Sequence, residues 1–161
     1  MTTGPLRDGP GPLGGLAAAS TVAVDGASPR QAVAVFGIVS ETDMHALVGG
    51  LHRLLQAAHC DPLNVGRLVT AASELGYNIL RYAGRGQITV RIGVLGGRRV
   101  CELVAEDHGP GIADLALALQ DNFSTGSGLG LGLPGVRRLM DTFDIASQPG
   151  RGTRVTVRRW L

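Results

Sequence analysis

The sequence predicts an α+β two-layer sandwich, with a mixed, mostly antiparallel sheet and helices packed on one face. Three observations carry that expectation. The inferred element order is strand, two helices, hairpin, loop, helix, hairpin, which lacks the continuous strand–helix–strand alternation of a doubly wound parallel sheet. Apolar residues recur at every second position in some stretches and at every third or fourth in others, so both strands and helices are present. Apolar residues make up 44% of the 161 and aromatics 4%, so the core is built from Val, Leu, Ile and Ala. A chain of this length is expected to form one domain around one modest core.

Residues 1–30 are Gly, Pro, Ala and Ser with little periodicity and read as a flexible leader before a domain spanning 31–161. Leu13–Val24 faintly resembles the apolar part of a signal peptide; Asp8, the scattered Gly and Pro and a weak basic start argue against it. "QAVAVFGIV" reads as a buried strand ending at Val39. Ser40, Thr42 and Asp43 supply helix-starting side chains, and Leu47, Val48, Leu51, Leu54, Leu55 and Ala58 follow helical spacing.

Asp61-Pro62 starts a second helix, with a capping carboxylate followed by Pro at the first helical position. Leu68, Ala72, Leu75, Ile79 and Tyr82 form one apolar stripe that stops at Gly84. Ile88, Val90, Ile92 and Val94 alternate with Thr89, Arg91 and Gly93, as in a half-buried strand. Gly96-Gly97 turns the chain into a returning strand over Val100–Ala105. Val136, Leu139, Met140 and Phe143 suit a helix, and "FDIAS" and "TRVTVRRWL" close the chain as two strands around a Gly150–Gly152 turn.

Several function classes fall away. A net charge of +2 is too small to argue direct nucleic-acid binding. No run of 18 apolar residues exists, so no membrane span is expected. Cys60 and Cys101 show no metal or redox spacing and read as reduced, in a cytoplasmic protein. His45, His52 and His59 recur every seven residues, but on a helix that is a rise of about 10.5 Å, too far for neighbouring rings to share one ion. They read as a surface or partner-facing stripe. Arg151, Arg154, Arg158 and Arg159 read as a solvated basic edge that discourages strand pairing.

The glycine run "STGSGLGLGLPGV", Ser124–Val136, is the first chemical signal. Gly130-x-Gly132-x-x-Gly135 matches the dinucleotide fingerprint as a string, but no strand precedes it and no acidic residue follows about 20 residues on. All fifteen basic residues are arginine, and a chain without lysine has neither a P-loop nor the kinase lysine. A mobile glycine loop leading into a helix N-terminus remains. Its N–H groups can approach phosphate oxygens without an intervening Cβ, helped by the helix dipole.

Two other stretches accompany it. "SELGYNILRYAG" sets Glu74 and Asn78 four residues apart, on one helix face away from the apolar stripe. A carboxylate beside a carboxamide suits a metal ion and an attacking hydroxyl, although alone the pair also fits a solvated face. "EDHGPGI" puts Asp107 at the end of a buried strand before Gly109 and Gly111. An acidic acceptor there suits an exocyclic amino group on a flat ring; the bland reading is a turn former.

Together, "SELGYNILRYAGRGQI", "AEDHGPGI", "NFSTGSGLGLGLPGVRRLMD" and "GTRVTVRRWL" resemble the Bergerat-fold ATPases of the GHKL class, and within it the RsbT-type serine kinases of bacterial stress-response partner switching. The resemblance covers Gln31 to Leu161. It implies that Asn78 ligates Mg²⁺ bridging the phosphates of ATP and that Glu74, the catalytic residue, polarises the substrate hydroxyl. It implies that Asp107 accepts from the adenine amino group and that Gly109 and Gly111 shape the base pocket. Gly128, Gly130 and Gly132 would form the phosphate lid, and Thr153 would support the adenine side. Arg81 and Arg85 lie near the metal box without an assigned role. The implied function is an ATP-dependent serine/threonine-protein kinase acting on STAS-domain proteins, with a PP2C-type phosphatase or a sigma factor as further partners. The alternatives are an anti-sigma factor of the same fold and, more weakly, a detached histidine-kinase ATP-binding domain.

Overall fold

Two hairpins with glycine corners set the frame of the protein. The structure is a computed structural model that describes residues 17–20, 32–120 and 132–161. Strand β3 (Gly86–Leu95) turns through Gly96 and Gly97, at φ 57° and 78°, into β4 (Arg98–Asp107). These left-handed angles suit a tight hairpin and favour glycine. Strand β5 (Thr142–Gln148) turns near Gly150 into β6 (Gly152–Trp160). With β1 (Ala17–Ser20) and β2 (Ala32–Ile38) they form one sheet in the order β1-β5-β6-β4-β3-β2. Every pairing between the described strands is antiparallel.

Helix α1 spans Glu41–Ala57 and α2 spans Pro62–Asn78. A π-helical turn, Ile79–Ala83, follows α2 directly. The short α3 (Leu115–Ala118) and α4 (Gly132–Leu139) complete the chain. Both long helices begin as their sequences dictate. Ser40 Oγ accepts from the Asp43 amide at 3.3 Å and donates to Asp43 Oδ2 at 2.8 Å. Asp61 Oδ1 accepts from the Asn64 amide at 3.0 Å, with Pro62 at the first helical position.

Period two then sorts the strands. Ile88, Val90, Cys101, Leu103, Ala105, Phe143, Ile145, Val155 and Val157 are buried in one cluster with Leu47, Leu51 and Leu55 of α1 and Leu68, Ala72 and Leu75 of α2. Each large aliphatic side chain buried there contributes roughly 1.5–3 kcal/mol. The two-layer α+β expectation therefore holds, and the aliphatic core is the one the composition indicates.

Several local expectations change. Ala17–Ser20 lie within the expected leader yet pair with β5, because β5 has an edge that β6 does not cover. Strand β2 is not fully buried. It is the opposite edge of the sheet, so Ile38 is buried while Val35 and Val39 stand exposed. The stripe on α2 holds through Ile79, but Tyr82 is 56% exposed. The wider π-turn takes more residues per revolution and rotates Tyr82 out of phase. Helix α4 stops at Leu139, and Phe143 faces the core from β5 instead. His45 and His52 are exposed on α1, whereas His59 lies beyond the helix at φ 53°.

Arg151 and Arg154 are exposed as expected, but Arg158 and Arg159 are not on a solvated edge, because β6 is an inner strand. Arg158 is buried and its Nε meets Glu102 Oε2 at 2.7 Å, while Arg91 Nη1 meets Glu102 Oε1 at 2.8 Å. Arg159 binds Asn64 Oδ1 at 2.7 Å and Asp141 Oδ1 at 2.9 Å, which ties the start of α2 to the last strand.

The Asn64 amide holds the Asp61 carboxyl below its ordinary value of 3.8, so this cap stabilises the fold only while ionised. A depressed carboxyl contributes stability above its unfolded pKa and loses it as pH falls through the folded one. Asp61→Ala is therefore expected to lower the urea midpoint at neutral pH, with the deficit shrinking below about pH 4. Urea titrations across that range check it.

Candidate functional site

The register of β4 on β6 places Asp107 opposite Thr153 at one end of the sheet. The end of α2 approaches the same end from the helical layer. Between them lies a cavity of about 750 Å³, lined by Glu74, Asn78, Asp107, Gly111, Gly132 and Thr153 among others. That volume lies in the range of small-molecule and cofactor sites. Six of the nine residues singled out from the sequence thus come together on one cavity wall. Gly109 sits behind it, donating its amide to Asp107 Oδ1 at 2.8 Å. Gly128 and Gly130 lie outside the described residues.

The sheet side of the cavity is held by close backbone packing. A Cβ on Gly152 would overlap the Asp107 carbonyl oxygen and lie 2.7 Å from His108 Cα. A Cβ on Gly111 would overlap the Gln148 carbonyl oxygen, and one on Gly109 would stand 2.5 Å from Ala83 Cβ. Gly152 and Gly111 also adopt φ 105° and 72°, where a side chain is strained whatever the space. The glycines of "EDHGPGI" and of the final turn therefore let three backbone segments meet without side chains between them.

Asp107 forms the turn and keeps one oxygen uncommitted. One oxygen closes the turn to Gly109, and the other has no hydrogen-bond partner among the described residues. Thr153 Oγ1 lies 2.9 Å from Ser147 Oγ. Ser147 is fully buried; it also accepts from the Ile112 amide at 2.8 Å and donates to the Gly152 carbonyl at 3.1 Å. Sequence reasoning missed Ser147. Its signal was a hydroxyl at the inward position that Phe143 and Ile145 occupy earlier in the same strand.

The helical side carries a buried carboxyl group. Glu74 is only 5% exposed, so it is no solvated face residue. Its Oε2 accepts from the Gly132 amide at 3.1 Å, and its Oε1 is buried with no hydrogen-bond partner among the described residues. The Asn78 carboxamide, one turn on, has no hydrogen bond among the described residues and lines the same wall. Arg81 also lines the cavity and stacks on Tyr82 at 5.6 Å, whereas Arg85 is exposed and absent from the lining. Chemically, the cavity offers acidic acceptors at both ends, an uncommitted amide between them and an apolar floor from Leu75, Ile79, Ala105 and Val155. This arrangement suits a flat polar ring at the Asp107 end and a reacting hydroxyl or a cation at the Glu74 end.

Comparison with known proteins agrees with that chemistry. The family model for histidine kinase-, DNA gyrase B- and HSP90-like ATPases matches residues 64–160. The chain is 48% identical over 95 residues to the serine/threonine-protein kinase RsbT of Bacillus subtilis, covering 59% of this chain and 71% of that protein. It is 31% identical over 113 residues to the anti-sigma F factor of Caldanaerobacter subterraneus, covering 65% of this chain and 78% of that protein.

Because Gly152 has neither the space nor the backbone angle for a side chain, Gly152→Ala is expected to lower thermal stability by about 2 kcal/mol or more. Gly150→Ala, with open space around it but φ 76°, is expected to cost less. Calorimetric midpoints of the two variants check the ranking.

Proposed function

The chain belongs to the histidine kinase-, DNA gyrase B- and HSP90-like ATPases, and on that premise we propose that it is an ATP-dependent serine/threonine-protein kinase of a partner-switching system. Its substrates in this reading are STAS-domain regulators, with a PP2C-type phosphatase and a sigma factor elsewhere in the circuit and the whole acting in the cytoplasm. No described helix is long and apolar enough to cross a membrane. The observation that carries the reading is the meeting of Glu74, Asn78, Asp107 and Thr153 on one cavity, with one buried Glu74 oxygen that has no partner among the described residues.

The residues fit the proposed ligands. Asp107 has an acceptor oxygen to spare for the adenine amino group, and the close packing of Gly109 on Ala83 and of Gly111 on Gln148 fixes the wall beside it. Thr153, held by Ser147, supports that side. Gly128, Gly130 and Gly132 are assigned to the phosphate lid. The uncommitted Asn78 carboxamide is an oxygen donor suited to Mg²⁺, which when bound neutralises charge on the phosphates. Glu74 Oε1 takes the proton from the incoming serine or threonine hydroxyl. The hydroxyl oxygen bonds to the γ-phosphorus as the bond to the β,γ-bridging oxygen breaks, and ADP leaves. Phosphoryl transfer asks mainly for such positioning and electrostatic support.

The likeness to an anti-sigma F factor sustains a second reading, a binder that sequesters a sigma factor and uses ATP to secure its complexes. The two separate by what co-purifies and by whether phosphate moves.

Glu74→Gln divides binding from chemistry. It keeps volume and helix propensity, and ATP is expected to bind with near-parental affinity. Transfer to a STAS-domain protein is expected to fall by about 10²-fold or more, the usual scale of general-base loss. Asn78→Ala is expected to lose Mg²⁺-dependent ATP affinity as well. Calorimetric titration with Mg-ATP and mass-spectrometric location of phosphate measure both; parental transfer by Glu74→Gln removes Glu74 from the chemistry.

Asp107→Asn is expected to weaken ATP binding by about 1–3 kcal/mol, because the amide NH₂ can face the adenine amino group donor to donor. Parental affinity in that variant leaves Asp107 as a turn residue alone.

A further inference from the structure

Glu74 is held from outside its own helix. Its Oε2 accepts from an amide 58 residues away, at 3.1 Å, and that amide is the first of α4. The first N–H groups of a helix have no partner within it and carry its positive end. A buried carboxylate beside them gains a hydrogen bond and a favourable field together. The donor is also anchored. Pro134, Gly135 and Val136 are buried, and α4 packs along α2.

Gly132 itself is unusual in one respect. Its φ is 56°, yet a Cβ there would meet nothing closer than Pro134 Cδ at 3.7 Å. The requirement for glycine is therefore conformational rather than steric. The left-handed backbone turns the Gly132 N–H toward α2, and a backbone donor cannot swing away as a side chain can.

We propose that Gly132 is a positioning residue for Glu74, its left-handed backbone fixing Oε2 so that Oε1, which is buried and has no partner among the described residues, is the oxygen left to meet the substrate hydroxyl. This rests on the kinase reading given above and adds, to the lid role of Gly132, a task directed at the carboxylate. A carboxylate free to rotate would offer either oxygen, in a range of directions, to the proton. Pinning one oxygen restricts the other to a single arc. The exit of the glycine run and the catalytic residue are thereby one hydrogen-bonded unit.

The test uses the full chain, Mg-ATP and the STAS-domain substrate. Gly132→Ala, which disfavours the left-handed angle, is expected to lower the transfer rate at saturating ATP by roughly 10-fold or more, as misplacement of a reacting group does. Gly132 is also a lid residue, so ATP affinity is expected to fall too, but by much less than that rate loss. Gly132→Asn, whose side chain tolerates the left-handed region, is expected to recover most of the loss. In a Glu74→Gln background, Gly132→Ala is expected to add little, because the two act as one unit.

Equal losses for Ala and Asn, a fall in ATP affinity matching the fall in rate, or a full additional loss in the Glu74→Gln background would each overturn the assignment. If the parent transfers and Glu74→Gln does not, yet Gly132→Ala transfers at the parental rate, only this inference fails. If the parent transfers nothing, the kinase reading fails and takes this one with it. A further readout does not require Gly132→Ala to fold: the Gly132 amide proton resonance is expected to move in Glu74→Gln and to stay in place in Asn78→Ala. An unmoved resonance in Glu74→Gln overturns the assignment.

Discussion

Helix α2 must bury two opposite things at once, an apolar stripe against the sheet and a carboxylate against the cavity. Leu68, Ala72, Leu75 and Ile79 meet the first demand and Glu74 the second. A charged group withdrawn from water is costly unless it is hydrogen-bonded. The surroundings of α2 supply that bond through the first amide of α4 and steady the helix at its other end through Arg159 and Asn64. The rest of the domain follows from this double burden: α1 covers one flank of α2, α4 the other, and β3, β4 and β6 lie beneath it.

The two ends of the cavity are built by different means. At the Asp107 end, three glycines bring backbone against backbone, and Ser147 stitches Ile112, Gly152 and Thr153 together with one hydroxyl. That end is fixed by hard contacts. At the Glu74 end, position depends on one hydrogen bond between two helices and on the π-turn that carries the chain out of α2. A rigid receptor for a ring and a tunable seat for a reacting group are thus joined by a single helix.

Much of this was legible in the sequence, for identifiable reasons. Alternation in β3 and β4, the paired glycines of their turn and the Asp61-Pro62 start are local signals, and local chemistry decides them. The grouping of Glu74, Asn78, Asp107 and Thr153 was legible because four short motifs shared one order along the chain. What escaped depended on tertiary context. Tyr82 continues a perfect helical stripe until the backbone widens at Ile79, which no spacing rule reveals. Arg158 reads as a surface charge until β6 is seen to lie between β4 and β5, where Glu102 receives it. Ser147 reads as the polar end of the "FDIAS" strand until its register turns it inward. The bond from Gly132 to Glu74 joins residues 58 apart, beyond any local pattern.

The chain has a single tryptophan, and its placement has a practical consequence. The Trp160 ring lies under the Arg98 guanidinium at 4.6 Å, its amide is bound by Asp141 Oδ2 at 2.7 Å and its carbonyl accepts from Asn64. It pairs with Val100, at the far end of β4 from Asp107, a separation of roughly 24 Å along the strand. Indole emission therefore watches the seam where the last strand closes on the start of α2, and it stands apart from the cavity. The protein carries its own optical gauge of whether that seam is shut, one whose signal is spatially separated from nucleotide and so can be followed while the cavity is being filled.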